Sequence, residues 1–88
     1  MRIIGEIAHP RLKITLMQHG RMLLKVEDRD AEITYRFREG EGLATVTDAR
    51  QMLDHGLLQD AERTLKAMSE DRIRYINSSG PQEFPVII

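Results

Sequence analysis

The chain has 88 residues, 13 Lys and Arg against 14 Asp and Glu, 41% hydrophobic residues and no cysteine. That length suits one small domain with a modest core, and the missing cysteines exclude disulfides, thiolate metal sites and cysteine chemistry. No apolar run reaches the roughly 18–20 residues of a membrane span, and the opening lacks a signal-peptide pattern, so the expected setting is cytoplasmic.

The charge is unevenly placed. Residues 1–38 hold eight Lys/Arg and five Asp/Glu, whereas residues 39–88 hold five and nine. The basic half is also the half that reads as sheet. Arg2 to Ala8 is a short β-branched run closed by His9-Pro10, whose proline forces extended geometry and a corner. Arg11 to Met17 alternates, with Leu12, Ile14 and Leu16 on one side and Arg11, Lys13 and Thr15 on the other. Arg21 to Asp28 and Glu32 to Arg38 repeat the pattern, the latter with Ile33, Tyr35 and Phe37 against Thr34, Arg36 and Arg38. A three-residue loop Gln18-His19-Gly20, with Gly20 at positive φ, keeps the apolar sides together by pairing Leu16 with Met22 and Ile14 with Leu24. It also sets Lys13 directly across from Lys25. Asp28 to Ala31 supplies the next polar turn.

After Gly42 the period becomes helical. Thr47-Asp48 is the expected start of a first helix, with His55-Gly56 as its stop. A second helix is expected from about Leu58 to Asn77, burying Leu58, Ala61, Leu65, Met68 and Ile76, with Glu62–Lys66 and Glu70–Arg74 as i,i+4 pairs. Ser78 to Pro81 breaks it. The fold class is therefore α+β: a four-stranded antiparallel β-meander followed by two C-terminal helices packed on one face. Residues 1–79 form the domain and residues 80–88 an apolar C-terminal tail.

The glycine-flanked turn Gly40-Glu41-Gly42 lies between strand and helix, where a phosphate-binding fingerprint would belong. Position 45 holds threonine instead of a third glycine, and Glu41 would set a carboxylate against a pyrophosphate. It reads as a turn. The histidines His9, His19 and His55 lie beside proline or glycine with no ligand spacing. No catalytic residue, metal site or cofactor is expected. Two candidate surfaces remain. A basic sheet face, Arg11, Lys13, Lys25, Arg36 and Arg38, would hold an anion or nucleic acid. The tail residues Phe84, Val86, Ile87 and Ile88 would pack on the domain, on a second copy, or in a partner's groove.

The opening "IIGEIAHPRLKIT" and the turn "TYRFREGEGL" resemble a family of short, uncharacterised bacterial proteins, over about Ile3 to Ile76. The resemblance implies a small bacterial domain and brings no activity. The function expected is a non-enzymatic protein-interaction or adaptor module whose partner is another protein or itself, as a homo-oligomer. The alternative is a nucleic-acid-binding module using the basic sheet face.

Overall fold

The computed structural model describes residues 1–79, with side chains through Ile76. Four strands, β1 (Arg2–Ile7), β2 (Lys13–His19), β3 (Arg21–Glu27) and β4 (Glu32–Phe37), form one antiparallel sheet in the order β1-β2-β3-β4. The meander follows from the short connections, because antiparallel neighbours need only a tight turn.

Each turn has a local cause. At the first corner the His9 Nδ1 accepts the amides of Arg11 and Leu12, both at 3.1 Å. Those amides are thereby satisfied outside the ladder, and β2 starts only at Lys13. Gly20, at φ 71, sits at the tip between the paired residues His19 and Arg21. Asp28 Oδ1 accepts the amides of Asp30 (2.8 Å) and Ala31 (2.9 Å), a side-chain turn that aims β3 into β4.

The β2–β3 register differs from expectation by two residues in the partner strand. Leu16 pairs with Leu24 and Ile14 with Val26, because the turn closes around Gly20 alone and not around Gln18-His19-Gly20. A two-residue shift preserves parity, so the apolar side chains still share one side. On the opposite side it changes every pairing. Lys13 faces Glu27 and Lys25 faces Thr15, in place of the repulsive Lys13–Lys25 pair.

Past β4 the helical part begins two residues earlier than Thr47. Thr45 is the N-cap of α1 (Val46–Met52): its side chain accepts the Asp48 amide, and Asp48 Oδ2 accepts the amides of Ala44 and Thr45, each at 3.0 Å. This reciprocal box fixes the helix start. The α1 helix gives way at Leu53, and the expected stop at Gly56, whose φ 124 and ψ −14 are non-helical, is a kink inside a joined segment. A π-type turn, Leu53–Leu57, carries the chain into α2 (Leu58–Ser79), with the Leu58 amide donating to the Leu53 carbonyl. Gly56, at φ 124, bends the segment without separating it. The expected pair of helices is one joined segment.

The joined segment covers one side of the sheet. Ile7, Ile14, Leu16, Leu24 and Val26 pack with Leu43, Ala49, Leu53, Ala61 and Leu65 into a single buried cluster. Gly5 permits a close approach of α1, since a Cβ there would stand 2.7 Å from Val46 Cγ2. Burial along α2 stops at Leu65; Met68, Ile73 and Ile76 are exposed, contrary to the expectation for Met68 and Ile76. At about 1.5 Å per residue, the 22 residues of α2 run about 33 Å and outlast the sheet. The radius of gyration is accordingly 16.0 Å, against about 12 Å for a compact chain of this length.

Candidate functional site, the open face of the sheet

One face of the sheet carries the helices; among the described residues no element of the buried cluster lies on the other. Register places its side chains in four rows across the strands. At the β2–β3 turn stand His19 and Arg21, with Arg38 next in register beyond the end of β4. The following row is Ile3, Met17, Leu23 and Arg36. Then come Glu6, Thr15, Lys25 and Thr34, and finally Lys13, Glu27 and Glu32.

This arrangement breaks up the expected basic face. Lys25 lies between two carboxylates, 3.1 Å from Glu32 and 3.7 Å from Glu27. Their hydrogen bonds and charge, Glu32 foremost, raise the Lys25 ammonium above the ordinary lysine value. Arg11 lies outside the strands and turns to the helix side, where it donates to Glu62 of α2 at 2.6 Å. Lys13 is exposed but opposite Glu27. Arg36 and Arg38, with Arg21, have no ion pair among the described residues and no carboxylate across the ladder. Around them His19, Gly20, Arg21, Leu23 and Arg36 line a shallow surface hollow.

The second row is what sequence patterning missed. Ile3 is 65% exposed, and Met17 is buried without joining the core cluster. Leu23 is half-buried opposite Met17. A bulge between Ile3 and Gly5 brings Ile3 opposite Met17. The signal was present as two apolar runs, Leu16-Met17 and Met22-Leu23-Leu24, in which both parities are hydrophobic. Alternation arguments assign such runs to one side only.

No protein-family model matches the chain, and no curated protein or solved structure matches it.

The other features noted in the sequence are structural. Glu41 Oε1 accepts the Arg38 amide at 2.6 Å, and the Glu41 amide returns to the Arg38 carbonyl at 3.2 Å. The Gly40-Glu41-Gly42 turn thus fills itself with its own carboxylate. His55 Nδ1 lies 2.6 Å from the Gln51 carbonyl and donates to it. Among the described residues no group of three or more His, Asp or Glu is placed to hold a metal ion, and no helix is long and apolar enough to cross a membrane. The tail residues Phe84, Val86, Ile87 and Ile88 lie outside the described residues.

Proposed function

We propose that this chain is a small bacterial interaction module, without catalytic activity, that engages a protein partner through the open face of its sheet. The observation that carries this reading is the apolar row Ile3–Met17–Leu23, which stands outside the core cluster on the uncovered side. An apolar strip with Arg36 at its end, Arg21 and Arg38 along one side and Glu6, Thr15, Lys25 and Thr34 along the other has the composition of a docking patch, an apolar centre within a polar and charged rim. The test is capture of a partner by the native protein compared with a variant carrying Ile3→Glu and Leu23→Glu. The variant is expected to lose the partner, while Ile73→Glu on α2 keeps it. An open-face variant that folds and captures the same partner removes the reading.

A second reading, nucleic-acid binding, draws on the three arginines at the turn end of the face and the hollow beside them. Its footprint is smaller than the sequence suggests, because Arg11, Lys13 and Lys25 all face carboxylates.

A further inference from the structure

The two edges of the sheet are built differently. β1 is interrupted by its bulge between Ile3 and Gly5 and has Val46 packed at Gly5. Bulges of this kind blunt an edge against pairing. β4 has no proline, no break in its register with β3, and no charged side chain on its core side. Among the described residues it is the edge left able to accept another strand.

The sequence of β4, Glu-Ile-Thr-Tyr-Arg-Phe, is complementary to itself. An antiparallel copy related by a two-fold axis through Thr34 sets Glu32 opposite Arg36 twice on the open face. The same register sets Ile33 opposite Tyr35 twice on the core face. A centre between Thr34 and Tyr35 would put apolar side chains on the wrong side. A centre on Tyr35 would set Arg36 against Thr34 and Glu32 against Arg38, which lies beyond the end of β4, so its opposite-charge pairs fall outside the strand. Opposite charges and aromatic–aliphatic pairs directly across a ladder are the favourable pairings.

We infer that β4 is a self-association edge through which two copies join in an eight-stranded antiparallel sheet, centred on Thr34. Arg36 has no carboxylate of its own chain within ion-pair distance among the described residues, and Glu32 is 57% exposed despite its contact with Lys25. Ile33, Tyr35 and Phe37 pack against the core yet stay only partly buried, and the second copy covers the rest. The two-fold makes the joint isologous, so it closes at a dimer. This inference rests on the interaction-module reading but uses an edge, not the open face. Its readout is the mass of the purified protein, so it fails independently of partner capture.

The experiment compares the full chain with Glu32→Arg and Arg36→Glu by sedimentation equilibrium, each variant alone and the two mixed in equal amounts. The native chain is expected at twice its 10.2 kDa mass. Each variant sets like charges across the two-fold and weakens association on the order of tenfold or more. The mixture restores the dimer, because the arginine introduced at position 32 of one chain then faces the glutamate introduced at position 36 of the other. Arg36→Gln, which only deletes the cation, serves in place of Glu32→Arg if loss of the Lys25 contact prevents folding; it too weakens the native dimer. A native chain that stays monomeric, single variants that dimerise like the native chain, or a mixture that stays monomeric overturns the inference.

Discussion

Two carboxylates act as local pins, and both are sensitive to acid. Asp48 accepts the amides of Ala44 and Thr45, and Asp28 those of Asp30 and Ala31; these backbone hydrogen bonds hold each carboxyl below its ordinary value. Unfolded, either would titrate near about 3.9. A folded pKa below the unfolded one means stability is fully present above that value and is lost as pH falls through the folded pKa. Acid titration monitored by circular dichroism should therefore show stability falling below about pH 4, and Asp28→Asn with Asp48→Asn should flatten that fall. An equally steep fall in the double variant would place the acid sensitivity elsewhere. Gly5 makes a steric prediction. Its missing Cβ would meet Val46 Cγ2 at 2.7 Å, so Gly5→Ala should cost about 1–3 kcal/mol in denaturant unfolding, as overpacking does. Adding Val46→Ala should recover most of the loss. If the second substitution restores nothing, the glycine is needed for the bulge and not for the helix.

At the scale of elements, Gly56 and Gly20 both have positive φ, for different reasons. Gly20, at φ 71, lies in the left-handed region that asparagine tolerates; Gly56, at φ 124 and ψ −14, lies outside it. Nothing lies within 4 Å of a Cβ built at either position, so any cost is backbone strain alone. Gly20→Asn should be nearly neutral in thermal unfolding, while Gly56→Ala should cost about 1–3 kcal/mol. Equal losses would mean that the bend between α1 and α2 carries no strain. These elements also show where patterning reads well. The four strands and the polarity of their core side were legible, because apolar residues at period two leave one consistent assignment. Parity could not reveal the two-residue shift at Gly20, since it preserves every side-chain direction. The helix start moved to Thr45 because the deciding contacts are reciprocal: Asp48 satisfies the Thr45 amide as Thr45 satisfies that of Asp48. Met68 and Ile76 continue the apolar spacing of α2, yet periodicity cannot say where the sheet beneath a helix stops. The open-face row was hidden for a related reason, since Met17 and Leu23 lie next to core residues in the chain.

For the whole molecule the unevenness of charge matters more than its total. If the turn end of the open face binds nucleic acid, Arg21, Arg36 and Arg38 are the phosphate contacts, because the other cations of the predicted basic face are held by or set against Glu62, Glu27 and Glu32. Three contacts on duplex DNA give a slope of roughly −2.7 in log affinity against log salt, at about 0.9 per contact. Affinity should then fall roughly 40-fold between about 50 and 200 mM salt, and alanine at the three arginines should remove the dependence. Fluorescence anisotropy with a short duplex at several salt concentrations measures the slope directly. A slope nearer to that of six contacts would require Lys25 and Arg11 to leave their carboxylates, an exchange in which ion pairs are broken to make phosphate contacts. Substituting Glu27→Gln, Glu32→Gln and Glu62→Gln would then strengthen binding, because both cations would already be free of their carboxylates. Without that gain the arginine corner alone is the anion-binding footprint, and no measurable binding at low salt leaves those arginines as the rim of a protein-docking face.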